Sequence, residues 1–244
     1  MQVQFYQLTS VGDRATNEDC MARIISDDYV LCMVADGLGG HQGGELASRY
    51  FCQSMLALAP QYHQSMQHAP QATIMAWVDN AVDEMQKLFA DEVVANEAHT
   101  TCAILYLDEH QVVTAHCGDS RIYRLNADEV LWRTQDHSFL QKMFDRGEVT
   151  EQEMGSHSAQ NKLTRSINVA KQQSVEVFTY PAAQKGETFV LCSDGFWGGI
   201  KSHEWLELAQ PESDRQELAK LAQMVVLRAE GKSDNVTVQW LRCL

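Results

Sequence analysis

Short apolar runs rich in β-branched and aromatic residues recur along the chain. They predict strands at 3–9, 20–26, 29–35, 101–107, 111–117, 120–126, 174–180, 187–193 and 235–242. Two pairs of runs are split by short polar breaks, at Asp27-Asp28 and at Asp108-Glu109-His110, and read as hairpins. Three longer stretches carry apolar residues at helical spacing. Over 44–58 these are Leu46, Tyr50, Phe51, Met55 and Leu58. Over 71–94, after a start at Pro70, they include Ile74, Trp77, Val78, Ala81, Met85, Leu88 and Phe89. Over 213–229 they are Leu218, Leu221, Ala222, Val225 and Val226, behind a Ser213-x-x-Gln216 capping box.

Strands and helices do not alternate strictly. Hairpins with clustered helices predict antiparallel sheets with helices outside, an α+β layered fold. No compositional break marks a linker, so residues 1–244 are expected to form one domain. The segment 137–170 differs from its surroundings. It is polar, poor in apolar runs and holds Gly147 and Gly155, which predicts a flap over a site.

Charge narrows the function. A net charge of -14 argues against a nucleic-acid binder, which needs a basic face for phosphates. The seven cysteines include no C-x-x-C pair, and Cys32, Cys102, Cys117 and Cys192 lie within strand-like runs, as free core thiols do. The N-terminal residues lack a signal-peptide pattern and no apolar run approaches the length of a membrane span. A cytoplasmic protein with no membrane partner is expected.

Two phosphate-binding patterns fail on spacing. "LCMVADGLGGHQGGELAS" at 31–48 has strand, glycine loop and helix in the order of a dinucleotide cradle. Its third glycine, however, comes one residue late at Gly43, and no acidic residue lies between Glu45 and Asp79. "HCGDSRIYR" at 116–124 resembles the H-C-x5-R of cysteine phosphatases, but the arginine position counted from Cys117 is Tyr123.

What remains is acidic residues near the ends of apolar runs: Glu18 and Asp19, Asp36, Asp119, Asp194 and Asp234. Each alone reads as a turn or cap residue. If the run ends converge, the carboxylates form a cluster that must be protonated or hold divalent cations, and hard oxygen donors suit Mg²⁺ or Mn²⁺. A glycine directly after Asp36 would let its backbone carbonyl join them.

These residues, in this order, resemble the metal-dependent serine/threonine protein phosphatases of the PP2C (PPM) family, in its minimal bacterial form. The resemblance runs through "SVGDRATNEDC", "VADGLGGHQGGELAS", "TTCAILYLDEHQVVTAHCGDSRIYRL", "TQDHS", "NKLTRSI", "LCSDGFWGGI" and "SDNVTV". It implies a sandwich of two antiparallel sheets flanked by helices, with a site for two divalent ions, Mn²⁺ or Mg²⁺, at one edge.

By the same resemblance, Asp36 bridges the two ions. Glu18 and the Gly37 carbonyl bind one, and Asp194 and Asp234 bind the other. Asp119 with Asp194 matches a third, weaker site. Arg14 holds the substrate phosphate, and Asn235 and Asp19 support the ligands. The chemistry implied is attack by a metal-activated water with no phosphoenzyme. Without the resemblance, Arg14 reads equally well as a salt-bridge partner of Glu18. Some eukaryotic relatives carry a histidine two residues after the bridging aspartate. Leu38 stands there and cannot donate a proton, and nearby His41 is expected to be structural.

The expectation is a monomeric enzyme that dephosphorylates proteins and opposes a serine/threonine kinase. A catalytically weak phosphoprotein-binding module is the alternative. A metal-dependent nuclease is disfavoured by the acidic balance.

Overall fold

Along Val30–Leu38 the side chains divide between two apolar cores. Leu31, Met33 and Ala35 join one, and Val30, Cys32 and Val34 join the other. A strand buried on both faces reads as a continuous apolar run, as this one does. The computed structural model describes residues 2–38, 43–89, 97–160, 162–170 and 175–244. Its elements in chain order are β1 (Val3–Ser10), β2 (Asp19–Ile25), β3 (Val30–Leu38), α1 (Gly44–Tyr62), α2 (Pro70–Leu88), β4 (His99–Thr100), β5 (Cys102–Leu107), β6 (Gln111–Cys117), β7 (Arg121–Leu125), β8 (Val130–Arg133), α3 (Phe139–Asp145), α4 (Glu151–Met154), β9 (Ile167–Asn168), β10 (Glu176–Pro181), β11 (Thr188–Cys192), α5 (Asp194–Trp197), α6 (Glu204–Ala209), α7 (Arg215–Arg228) and β12 (Val236–Cys243).

One sheet runs β1-β12-β11-β7-β8. The other runs β10-β6-β5-β3-β4-β9, with β2 also paired to β3. Every pairing among these strands is antiparallel. Both predicted hairpins form, Asp19–Ile25 against Val30–Asp36 and Cys102–Leu107 against Val112–Cys117.

Three apolar layers follow from the alternation. Between the sheets lie Val30, Val34, Leu105, Ile122, Phe189 and Leu241. Outside the second sheet, α1 and α2 bury Phe51, Met55 and Trp77 against Leu31 and Met33. Outside the first, the C-terminal helices bury Leu218, Leu221 and Val225 against Val190, Val238 and Trp240. Each such large side chain contributes about 1.5–3 kcal/mol by leaving water. The four-layer sandwich agrees with the expectation.

Local details differ. Helix α1 continues past Leu58 and through Pro60 to Tyr62, whose ring stacks on Trp77 at 5.7 Å. Helix α2 ends at Leu88, with Phe89 as its cap. Residues 90–94 of the predicted helix lie outside the described residues. The cap of α7 is Asp214, whose carboxylate accepts from the Gln216 and Glu217 amides at 2.7 and 3.3 Å. The expected capping residue, Ser213, is buried with its hydroxyl unpartnered. The predicted strand start at 174 also lies outside the described residues, and β10 begins at Glu176.

The segment 137–170 holds α3, α4 and β9. Leu140 and Met154 anchor it in the apolar layer under the C-terminal helices.

Candidate metal centre and active site

Two of the chain's crossings between the sheets, β1 to β2 and β6 to β7, carry acidic residues, and the others sit within or beside strand ends. Between β1 and β2 the chain carries Arg14 and Glu18. Asp19 opens β2 and stands opposite Asp36 of β3 in register. Asp36 is seventh of the nine residues of β3, so it projects from the strand itself. Between β6 and β7 the turn at Gly118, φ +101°, presents Asp119. Asp194 follows β11 and begins α5, and Asp234 precedes β12.

Backbone contacts fix this cluster. The Asp36 amide donates to Thr101 Oγ1 at 2.9 Å and its carbonyl accepts from the Thr101 amide at 2.8 Å. The Gly37 amide donates to the Glu18 carbonyl at 3.0 Å. A Cβ on Gly37 would lie 2.2 Å from the Gly44 carbonyl oxygen and 2.8 Å from that of Glu18, so only glycine lets these three segments meet. Asn235 ties the far side. Its Oδ1 accepts from the Glu18 amide at 2.8 Å, and its Nδ2 donates to the Val11 and Thr16 carbonyls at 2.9 and 3.0 Å. Ser193, which the sequence reading passed over, donates from Oγ to Asp19 Oδ2 at 2.7 Å. Trp197 donates from its indole to the Asp119 carbonyl at 2.8 Å.

The carboxylates, Asp119 and Asp194 buried and the others half-buried, repel one another. Burial, then the neighbouring charges of Asp19, Asp194, Asp119 and Asp234, raise Asp36 well above the ordinary value. Burial and Asp194 do the same to Asp119. Burial and Asp234 push Asp194 up to about 7, and burial pushes Asp19 up to about 6. Protons hold such a cluster together, or cations do. Asp19 Oδ1 is buried with no hydrogen-bond partner. An all-oxygen donor set with no thiolate or imidazole fits a hard divalent cation.

Arg14 is the cation at the rim. Its Nη2 lies 2.8 Å from Asp234 Oδ2, a residue 220 positions away. This corrects the expected alternative: the salt-bridge partner of Arg14 is Asp234 and not Glu18. Arg14, Asp194 and Asp234 open into a groove of about 460 Å³, which Gln152, Gly155, Ser156 and Gln160 from the segment 137–170 also line. Gln160 Nε2 approaches Asp194 Oδ2 at 3.4 Å, a contact with no advance signal in the sequence. Leu38 is half-buried, and His41 lies outside the described residues.

A second group of ligand-type side chains among the described residues is His116, His137 and Glu176. His137 Nδ1 accepts from the Gly118 amide at 3.3 Å and its Nε2 meets Glu176 at 2.9 Å. His116 Nε2 donates to the Gln135 carbonyl at 2.8 Å, and the two rings stack at 4.8 Å. Burial lowers both imidazoles, and His137, bonded to the Gly118 amide, braces the turn that carries Asp119. The cysteine alternative also falls away, since burial pushes the Cys117 thiol up to about 12 and the residue is fully covered.

The family model for protein phosphatase 2C matches residues 10–242. The serine/threonine phosphatase Stp of Listeria innocua is 29% identical over 218 residues, which cover 87% of this chain and 84% of that protein. The crystal structure of the serine/threonine phosphatase Stp1 from Staphylococcus aureus superposes with a TM-score of 0.84 at 25% identity, covering 100% of this chain and 95% of the other. The catalytic domain of the serine/threonine protein phosphatase PstP, crystallised with two manganese ions, gives a TM-score of 0.76 at 25% identity, covering 98% and 97%. Sequence, fold and the acidic edge agree, and the chain belongs to the protein phosphatase 2C family of serine/threonine phosphatases.

Proposed function

We propose that this chain removes phosphate from phosphoserine and phosphothreonine in proteins at the acidic edge of its sandwich, using divalent cations held by its own carboxylates. The observation that carries the reading is the convergence of Glu18, Asp36, Asp194 and Asp234, with Asp36 and Asp194 raised by burial and by neighbouring carboxylates. Glu18, Asp36 and the Gly37 carbonyl would hold one ion, and Asp36, Asp194 and Asp234 would hold the other. Asp119 with Asp194 offers a third, weaker position. When bound, Mn²⁺ or Mg²⁺ there supplies the charge that makes water a nucleophile near neutral pH.

The chain's own groups do the rest. Arg14 presents a planar, permanently charged fork at the mouth of the groove, suited to two phosphate oxygens. Its present partner Asp234 is itself a proposed ligand, so the guanidinium is held where substrate phosphate must arrive. Asp19 and Asn235 hold the ligand-bearing segments in register. Leu38 supplies no proton to the leaving oxygen. No buried thiol is placed to attack phosphorus, which fits hydrolysis without a phosphoenzyme. The segment 137–170 acts as the flap, since it forms one wall of the groove.

We place the enzyme in the cytoplasm, opposing a serine/threonine kinase and acting as a monomer. Seven free cysteines fit a reducing compartment, and one chain supplies the whole proposed site. No helix among the described residues is long and apolar enough to cross a membrane.

The test is phosphate release from a phosphothreonine peptide by chelator-treated protein, before and after Mn²⁺ is restored. Release only with metal supports the reading. Full activity without metal sinks the mechanism. Tight peptide binding with no release, metal present, would make this a phosphoprotein-binding module instead.

A further inference from the structure

Six charged residues line the groove that leads from the proposed ion site: Arg14, Asp194, Lys201, Arg228, Lys232 and Asp234. The two carboxylates both belong to the ion site. Everything charged beyond them is cationic, on a chain whose net charge is -14. Such a local reversal of sign against the field of the whole molecule marks the ligand that the groove is shaped for.

The three distal cations are not equivalent. Arg228 is spent on structure. It pairs with Glu204 at 2.7 Å and donates to the Gly199 carbonyl at 2.7 Å, tying the end of α7 to the turn after α5. Lys201 and Lys232 are exposed, and neither has an ion-pair partner among the described residues. Their backbones are nonetheless fixed. The Lys201 amide donates to Glu204 Oε2 at 2.8 Å. The Lys232 amide donates to the Ala229 carbonyl at 3.0 Å, in a turn where Glu230 and Gly231 take φ +50° and +82°. Arg228 thus holds together the two segments that carry the lysines, and both ammonium groups are left to meet solvent or ligand.

The lining residues from the segment 137–170, Gln152, Gly155, Ser156 and Gln160, are uncharged. Gly155 closes on Gly198, where a Cβ would lie 2.2 Å from the Gly198 carbonyl oxygen, so the two segments meet backbone to backbone at that point.

We infer that Lys201 and Lys232 form a cationic subsite for the polypeptide flanking the phosphorylated residue. The enzyme thereby favours phosphoproteins with Asp or Glu beside their phosphoserine or phosphothreonine. The inference rests on the phosphatase reading above and names the substrate class of that same site.

Two phosphothreonine peptides test it, identical except that one has Glu and the other Lys on both flanks. With Mn²⁺ at low salt, the wild-type enzyme should give a kcat/KM about 10-fold higher on the Glu peptide, the scale expected for two exposed charge pairs. The preference should shrink in about 0.5 M salt as screening sets in. The double variant Lys201→Glu/Lys232→Glu should invert it. The bulk charge of -14 alone predicts the opposite order, preference for the Lys peptide. Equal rates, that opposite order, or a Glu preference retained by the double variant would overturn the inference. Nitrophenyl phosphate, which has no flanks, reports the hydrolytic site separately. Failure to release phosphate from it and from both peptides would indict the phosphatase reading itself.

Discussion

Arg14 carries two roles at a single position, and kinetics separate them. Its guanidinium sits at the groove mouth, 2.8 Å from Asp234. If it receives phosphate, Arg14→Ala should raise KM more than it lowers kcat, as loss of uniform binding does. Normal kinetics with a lowered melting temperature would leave it a surface salt bridge, a kind of contact worth little in stability. Asp119 poses the question of the leaving-group proton. A serine or threonine alkoxide leaves poorly without a proton, whereas nitrophenolate leaves readily. With Leu38 unable to donate, Asp119→Ala should slow phosphopeptide hydrolysis far more than nitrophenyl phosphate hydrolysis in the same folded preparation. Equal losses on both substrates would reduce Asp119 to a turn residue braced by His137 and Trp197.

Among the elements, β3 and β5 were the most legible, because strands buried on both faces leave unbroken apolar runs. The acidic residues were legible for the same reason, since a carboxylate at or near either end of such a run stands out. Two-residue β4 and β9 are too short to show any period, and β8 is partly exposed, so its alternation carries no signal. The partner of Arg14 was misread because local spacing favours Glu18, while the fold brings a residue from the far end of the chain. The start of α7 was misread by one residue. Ser213 and Asp214 are both good caps by type, but the extended backbone of Asp214, φ -140°, aims its carboxylate at the free amides while the Ser213 hydroxyl has no partner. Replacing Asp214 by alanine should therefore cost about 1 kcal/mol in stability. Ser213→Ala removes a hydroxyl with no partner and should cost less in the same denaturant titration. The reverse order would restore Ser213 as the cap.

For the whole molecule, the acidic edge couples stability to pH and to metal. Folding raises Asp36, Asp119, Asp194 and Asp19, the last two to about 7 and about 6, so the metal-free folded chain binds more protons than the unfolded one. Their stabilising contribution is complete below the unfolded carboxylate value and is lost as pH rises through the folded values. The melting temperature of chelated protein should fall on the order of 5 °C or more between pH 5 and pH 8 from this source. His116 and His137, lowered by burial, act oppositely and lose stability as pH falls through the imidazole range. The difference between wild type and Asp194→Asn isolates the carboxylates, and that difference should shrink at low pH. A pH-independent difference would mean that Asp194 is ionised throughout. Added Mn²⁺ should raise the melting temperature more at pH 8 than at pH 5, because its ligands must first lose their protons. The central claim is that this cluster is a catalytic metal site, and the direct measurement is manganese bound per chain against phosphate release during equilibrium titration. The account predicts that release rises with the filling of two sites, and that Asp36→Asn loses both tight binding and at least about 100-fold in rate, since even outer partners of metal ligands cost 10–100-fold. Full hydrolysis by metal-free protein, or manganese binding unchanged in Asp36→Asn, would contradict it.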